Sequence, residues 1–258
     1  MDDTLRAFFD RLAEAAAAAI LPHFRVRIAV EHKGGARFDP VTEADRAAER
    51  AIRALIEAHF PEDGLFGEEL GAVRADAPRQ WIIDPIDGTR AFIAGLTLWG
   101  VLIGLYENRE PVAGLISQPY LGERFYGDAR GARLSDRFGE RPLRTRPCPS
   151  LVEATLMTTS PYLFAEADSR RYGAVETRAR NVRYGADCYA YAMFAAGHVD
   201  LVIEAGLKPY DVAALVPVIR GAGGIVTAWD GGDPLQGHVV AAGDARVHAE
   251  AVALLSGR

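Results

Sequence analysis

Residues 81–89 read Trp-Ile-Ile-Asp-Pro-Ile-Asp-Gly-Thr, a short apolar run followed by two acids and a Gly-Thr step. The run predicts a buried strand that opens into a loop at Asp84-Pro85, and Gly88-Thr89 predicts the start of a helix. Buried carboxylates without a cation are costly, and Mg²⁺ prefers oxygen ligands. N–H groups at a helix start can bind phosphate. The segment therefore predicts adjacent metal and phosphate sites, or else acids that only cap the helix.

Three other acidic segments extend this pattern along the chain. Glu68 and Glu69 follow the apolar pair 65–66, a candidate strand end. Asp45 lies three residues after Thr42, as in an acidic capping box, and Asp211 stands where another helix is expected to begin. Taken singly, each acid is more typical of a helix cap or a solvated charge than of a metal ligand.

Hydrophobic periodicity predicts a layered α/β chain with two sheet-containing halves. The N-terminal half, residues 1–145, is expected to be an α+β unit, with helices over 3–21 and 42–59 and strands at 81–83, 98–106, 111–117 and 123–126. The polar segment 135–150, rich in Arg and Pro, predicts the boundary. The C-terminal half, residues 146–258, alternates in type, with strands at 154–158, 199–204, 224–228 and 238–242 and helices over 187–197, 210–221 and 244–255.

Composition excludes several classes of protein. The 258 residues are 49% hydrophobic, with 29 Lys+Arg against 35 Asp+Glu and a net charge of −6. These values fit an ordinary globular protein and argue against nucleic acid as the main partner. The chain has no apolar run long enough for a membrane span and no basic start of a signal peptide. Two cysteines, Cys148 and Cys188, cannot build a disulfide framework, so we expect a cytoplasmic protein. Neither a Gly-Lys-Ser/Thr phosphate loop nor a His-Glu-x-x-His pair is present.

The acidic segments, taken together, resemble the motifs of the inositol monophosphatase family of Mg²⁺-dependent, lithium-sensitive phosphatases. The matching elements are Gly67-Glu68-Glu69, Asp84 to Thr89, Tyr210-Asp211 and Ala222-Gly223-Gly224. Their order and spacing extend from Val41 to Gly224. Tyr210 departs from the family, which usually has Trp there. The resemblance implies an αβαβα sandwich whose active site lies between the two halves.

The resemblance also implies a metal-dependent mechanism with two or three Mg²⁺ per site, Mn²⁺ being an alternative. The first ion would bind Glu68, Asp84 and the carbonyl of Ile86. The second would bind Asp84, Asp87 and Asp211, and a third, weaker ion would lie near Glu68 and Asp45. Gly88 and Thr89 would hold the phosphate through their N–H groups. Glu68, Thr89 and Asp45 form the implied catalytic set, in which Thr89 and Asp45 orient the attacking water, and no covalent phosphoenzyme is implied.

Three residues distinguish the substrate side from that of an inositol phosphatase. Arg90 follows Thr89, Asp187 precedes a predicted helix, and Glu204 ends a predicted strand. Two acids beside the leaving group favour a cationic group over a neutral polyol. The surrounding segments closely resemble the histidinol-phosphate phosphatases of the family, whose substrate carries an amine and an imidazole. Asp187 could instead be a helix N-cap, and Arg90 a surface or subunit-contact residue.

The resemblance therefore predicts hydrolysis of L-histidinol phosphate, a small-molecule phosphate ester, in histidine biosynthesis. The alternatives are a phosphatase for inositol 1-phosphate or broad sugar phosphates, and a regulatory protein that binds a transcription complex. Family members are commonly homodimers. The role of a basic residue before the Thr42 segment is left open between Lys33 and Arg37, each of which fits a solvated basic loop. We expect Tyr184, Tyr189 and Tyr191 to be core or subunit contacts.

Overall fold

The computed structural model of the chain describes residues 1–34 and 40–257, which contain eight α-helices and fifteen β-strands. The helices are α1 (Asp3–Ile20), α2 (Glu43–His59), α3 (Thr89–Ile93), α4 (Glu166–Glu176), α5 (Cys188–Ala195), α6 (Pro209–Val212), α7 (Leu215–Gly221) and α8 (Ala245–Leu255). The strands of the first half are β1 (Glu31–His32), β2 (Pro40–Val41), β3 (Gly64–Gly67), β4 (Gly71–Val73), β5 (Arg79–Asp87), β6 (Gly100–Glu107), β7 (Glu110–Gln118), β8 (Glu123–Asp128), β9 (Gly131–Asp136) and β10 (Gly139–Pro142). The remaining strands are β11 (Thr155–Thr158), β12 (Asn181–Tyr184), β13 (Leu201–Ala205), β14 (Ile225–Ala228) and β15 (His238–Ala242).

The two N-terminal helices form where local signals predict them. The Asp2 carboxylate caps α1 by accepting a hydrogen bond from the Leu5 N–H, 2.8 Å away. Thr42 caps α2 in a capping box with Asp45, so both N-terminal donors find partners. Each helix buries one face and exposes the other, as an amphipathic helix on a sheet must.

The larger sheet has eight strands in the order β10-β9-β8-β7-β6-β5-β3-β4. Every neighbouring pair is antiparallel except β3 and β5, which run parallel. Side chains alternate between its two faces, as the period of two requires. On β6, for example, Val101 and Ile103 pack toward α1 and α2, whereas Leu102 packs toward α5 and α7.

The smaller sheet has five strands in the order β12-β11-β13-β15-β14. Leu201 and Ile203 of β13 face the core beneath α4 and α8, and Val202 faces the core shared with α5 and α7. Helices therefore cover the outer face of each sheet and also fill the space between them. The predicted αβαβα sandwich is confirmed.

A row of glycines lets the central helices approach the larger sheet. Gly104, Gly114 and Gly127 are direct cross-strand neighbours on β6, β7 and β8. A Cβ atom at Gly114 would lie only 2.1 Å from the Ala214 carbonyl oxygen, between α6 and α7. Because these positions lack side chains, the segment that carries α6 lies directly against the sheet.

Two expected elements differ in the structure. The strand expected to end at Asp84-Pro85 continues to Asp87 and contains an irregular step, because Asp84 pairs with Leu102 whereas Asp87 pairs with Gly100. The single helix expected over 210–221 is instead α6 and α7. Pro217 explains this break, because it has no N–H to bond the carbonyl of residue 213.

Other elements were not predicted from the sequence. Strands β9 and β10 extend the larger sheet to Pro142, inside the segment expected to be the domain boundary. Helix α4 and strand β12 also have no counterpart among the predictions. None of the described helices combines the length and the hydropathy that crossing a membrane requires.

Candidate active site

Three carboxylates from distant parts of the chain meet at one point. One oxygen from each of Asp84, Asp87 and Asp211 lies within 4.8 Å of the other two. In a regular strand, residues three apart point to opposite faces. The extra residue of β5 between Asp84 and Asp87 reverses that alternation, as a β-bulge does, and both acids face the same side. Helix α6 brings Asp211 to them.

The cluster has the electrostatics of a cation site. Burial, reinforced by the neighbouring acids, holds the pKa of Asp84 well above its usual range. Burial also raises the pKa of Asp87, with Asp187 and Asp211 adding to the effect, and raises that of Asp211 to about 6. Like charges this close oppose one another's ionisation. A hard divalent cation with oxygen ligands fits the donor set and would offset these charges.

Glu68 lies beside this cluster, in contact with a lysine. Burial raises the pKa of Glu68 to about 7, although Lys33 opposes the shift. The Lys33 Nζ lies 2.8 Å from the Glu68 Oε1 and 2.5 Å from the Glu69 Oε1. Burial lowers the pKa of Lys33, but these two glutamates outweigh it, so its pKa lies above the usual value. Lys33 thus lies in an exposed loop, as expected, and also pairs with two acids of the site, whereas Arg37 lies outside the described residues.

Glu49, which sequence reasoning missed, positions the segment that carries Glu68. Its fully buried carboxylate accepts hydrogen bonds from the N–H groups of Glu69 (2.8 Å) and Leu70 (3.2 Å). It also pairs with Arg53 at 2.7 Å, one helical turn along α2. Gly67 makes room for it, because a Cβ there would lie 1.9 Å from the Glu49 Oε1. A Glu-Arg pair at i,i+4 spacing on the buried face of α2 was the available signal.

Asp45 and Thr89 form the next part of the site. The Asp45 Oδ2 accepts hydrogen bonds from the Thr42 N–H (2.8 Å) and hydroxyl (2.6 Å). The other oxygen, Oδ1, lies 3.5 Å from the Thr89 Oγ1. That hydroxyl also lies 3.0 Å from the Ile86 carbonyl oxygen, which it can use as an acceptor. The capping box of α2 thus holds Asp45 rigidly against the first residue of α3.

Gly88 stands where only glycine fits. It is the N-cap of α3 with φ +88°, a backbone conformation that disfavours side chains. A Cβ atom would also lie 2.9 Å from the Leu98 carbonyl oxygen and 3.1 Å from the Asp187 Cβ. The chain therefore turns sharply after Asp87 and brings the start of α3 close to Asp187.

A second pair of acids lines the same cleft. Asp187 precedes α5, but its side chain forms no capping hydrogen bond, and its φ of +45° is unusual for a residue with a side chain. Burial raises the pKa of Asp187 to about 6, and the charge of Arg90 opposes the shift. Asp187 occupies the N-cap position of α5, but because its carboxylate makes no capping hydrogen bond, the alternative that this side chain serves to cap the helix is wrong.

Glu204, at the end of β13, is the other acid of this pair. Its Oε1 accepts a hydrogen bond from the Thr159 N–H at 2.5 Å, and its Oε2 accepts one from the Thr158 hydroxyl at 3.1 Å. Burial raises its pKa to about 8, and Asp187 adds to the effect. Glu204, Asp187 and Arg90 line one cleft of about 710 Å³ together with Glu68, Asp87 and Asp211. The cleft is thus lined by the acidic cluster and by two further acids, Asp187 and Glu204.

The chain is similar to known phosphatases in both sequence and structure. The sequence model of the inositol monophosphatase family matches residues 1–257. The chain is 43% identical to the chloroplastic bifunctional phosphatase IMPL2 of Arabidopsis thaliana, over 97% of this chain and 74% of that protein. It is 35% identical to a histidinol-phosphatase of Streptomyces coelicolor, over 96% of this chain and 95% of that protein. The solved structure of an inositol monophosphatase from Zymomonas mobilis is 41% identical with a TM-score of 0.88, and the match covers 99% of this chain and 100% of that one.

Proposed function

This chain belongs to the inositol monophosphatase family, and on that premise we propose that it is a Mg²⁺-dependent phosphomonoesterase that hydrolyses L-histidinol phosphate. The products would be L-histidinol and inorganic phosphate, in a step of histidine biosynthesis. The observation that carries the choice of substrate is the pair of acids Asp187 and Glu204 on the wall of the cleft.

The acidic cluster would hold the metal ions. One ion would bind Glu68, Asp84 and the Ile86 carbonyl, and another would bind Asp84, Asp87 and Asp211. A third, weaker site would lie near Glu68 and Asp45. Bound Mg²⁺ supplies Lewis-acid activation of water and offsets negative charge on the phosphoryl group.

The protein's own groups would orient the ester and the water. The N–H groups of Gly88 and Thr89 would bind the phosphate at the start of α3. The Thr89 hydroxyl would accept a hydrogen bond from the attacking water and donate its own hydrogen to the Asp45 Oδ1, 3.5 Å away. Because the capping box fixes Asp45, the water would be held in one orientation for direct attack on phosphorus.

Asp187 and Glu204 would select the leaving group. Two carboxyl groups in a buried cleft repel each other and lose hydration, and a bound cation offsets both effects. The histidinol leaving group carries an amine and an imidazole, whereas a polyol carries no charge. Arg90, near Asp187, would hold that carboxylate in place or contact the ester directly. Relatives named histidinol-phosphatase support this choice at 35% identity and above.

The alternative substrate is inositol 1-phosphate or a broader set of sugar phosphates. The observation that favours it is the 41% identity and close structural match to the inositol monophosphatase of Zymomonas mobilis. The two substrate classes differ in the charge of the leaving group, and the acidic pair should therefore discriminate between them.

The test compares kcat/KM for L-histidinol phosphate, inositol 1-phosphate and glycerol phosphate in the presence of Mg²⁺. We expect L-histidinol phosphate to be the best substrate by at least tenfold. Asp187→Asn and Glu204→Gln should each raise KM for it by roughly tenfold or more, because each removes a charge-assisted hydrogen bond of about 1.5–3 kcal/mol. The same variants should change KM for the other two esters much less.

Glu62→Gln is the matched control, because Glu62 is an exposed acid that does not line the cleft. This variant should leave KM and kcat/KM for all three substrates unchanged. Equal effects of Asp187→Asn on all three esters, or a wild-type preference for inositol 1-phosphate, would refute the assignment of substrate.

A further inference from the structure

A buried hydroxyl group in the cleft has no role in the chemistry described above. Tyr191 of α5 lines the cleft together with Asp187 and Glu204. Its side chain is 2% exposed, and its hydroxyl forms no hydrogen bond within residues 1–34 and 40–257. Buried polar atoms in folded proteins nearly always have a partner. Because Tyr191 lines the cleft, the unsatisfied hydroxyl of its side chain points to a partner that binds there.

The position of Tyr191 on its helix supports this reading. Asp187 is the N-cap of α5, and Tyr191 lies four residues later. Side chains four residues apart lie on the same helix face, so both residues belong to the wall of the cleft. The ring itself packs in the core between the two sheets. The expectation that Tyr191 is a core residue is thus correct for its ring, and the hydroxyl remains to be explained.

The acids around Tyr191 are already bound to other donors. Glu204 accepts hydrogen bonds from Thr158 and Thr159, and the Asp87 Oδ2 accepts one from the Cys188 N–H at 2.5 Å. Burial, followed by the charges of Glu204 and other nearby acids, holds the pKa of Tyr191 well above its usual value. The phenol therefore stays neutral, and its oxygen keeps lone pairs that can accept a hydrogen bond.

We propose that Tyr191 is a specificity-determining residue whose hydroxyl oxygen accepts a hydrogen bond from a protonated nitrogen of the leaving group. The inference rests on the proposed function, since it assigns the third contact to the nitrogen that Asp187 and Glu204 would bind. A phenylalanine would fill the same core without leaving a buried polar atom unsatisfied. The hydroxyl oxygen of Tyr191 therefore lowers stability when the cleft is empty, and it adds to binding affinity when a nitrogen donor of the ligand bonds to it.

Tyr191→Phe tests this assignment, because it removes one oxygen atom and keeps the ring. We expect kcat/KM for L-histidinol phosphate to fall by about tenfold to a hundredfold, the range for a hydrogen bond to a charged group. The Kd of the product L-histidinol, measured by calorimetry, should rise by a similar factor. For glycerol phosphate, which has no nitrogen, kcat/KM should stay within about twofold. The melting temperature without ligand should be unchanged or higher.

Tyr172→Phe is the matched control. Tyr172 is 1% exposed and packs in the core beneath α4 and α8, outside the cleft. Tyr172→Phe should leave kcat/KM for both substrates and the Kd of L-histidinol unchanged. If the wild type prefers L-histidinol phosphate but Tyr191→Phe keeps its preference and product affinity, only the inference about Tyr191 is overturned. If the wild type shows no such preference, the proposed function fails and this inference fails with it.

Discussion

Gly114→Ala tests how the position of the central helices controls the active site. The added methyl group would lie 2.1 Å from the Ala214 carbonyl oxygen and 3.0 Å from its carbonyl carbon. Both are backbone atoms, so no side-chain rotation can relieve the clash. The segment between α6 and α7 would have to retreat by about 1.3 Å to reach ordinary van der Waals contact. Asp211, three residues before Ala214, would move with it, away from Asp84 and Asp87.

The size of the effect follows from this displacement. Overpacking a well-filled core costs about 1–3 kcal/mol, and the lower chain entropy of alanine in the unfolded state recovers about 0.4–1 kcal/mol. We therefore expect the protein to lose about 1–2 kcal/mol of stability, which lowers its melting temperature by roughly 2–8 °C. A misplacement of about 1 Å in a catalytic group can lower the rate by about a hundredfold. Activity should therefore fall by about ten- to a hundredfold even where the protein is fully folded.

The assay separates displacement of Asp211 from simple destabilisation. Activity is measured at a temperature well below the melting transition, as a function of Mg²⁺ concentration. Gly114→Ala should need a higher Mg²⁺ concentration for half-maximal activity, because one carboxylate ligand has moved. Gly173→Ala is the control, since a Cβ there meets no atom within 4 Å and alanine favours the helix α4. It should raise stability by up to about 1 kcal/mol without changing the Mg²⁺ dependence. If Gly114→Ala has the activity and the Mg²⁺ dependence of the wild type, the reasoning is refuted.

Two further predictions concern the acids and the lysine of the site. Asp84→Asn or Asp211→Asn should abolish turnover but keep the fold. Because each variant removes one of several mutually repelling carboxylates, the melting temperature without metal should not fall. The rise in melting temperature that Mg²⁺ produces in the wild type should be lost. Retained turnover would contradict the metal assignment. Lys33→Met should weaken the hold on Glu68 and Glu69, and a double-mutant cycle of stability with Glu69→Gln should give a coupling free energy of about 1 kcal/mol. A coupling free energy near zero would show that the ion pair does not contribute to stability.

Local signals in the sequence account for much of the fold. The two N-terminal helices begin at side-chain caps. The central strands of the larger sheet contain continuous apolar runs, as strands buried on both faces require. Helix α4 escaped prediction because its N-cap, Ala165, makes no capping bond and because it buries only Tyr172 and Val175. Strand β10 escaped because all four of its residues are exposed, and nothing apolar marks it. Their structure depends on neighbours rather than on their own composition.

The sequence by itself determined the family, the layered architecture and the acids available for a metal, because motifs and periodicity are properties of neighbouring residues. Only the tertiary structure decided that the irregular step in β5 turns Asp84 and Asp87 to one side and that the glycine row lets Asp211 reach them. It alone placed Lys33 against Glu68, Glu49 against the segment that carries Glu68, and Tyr191 in the wall of the cleft. Contacts between residues far apart in the chain depend on the path of the backbone between them. A local pattern of residue types does not determine the path of the backbone.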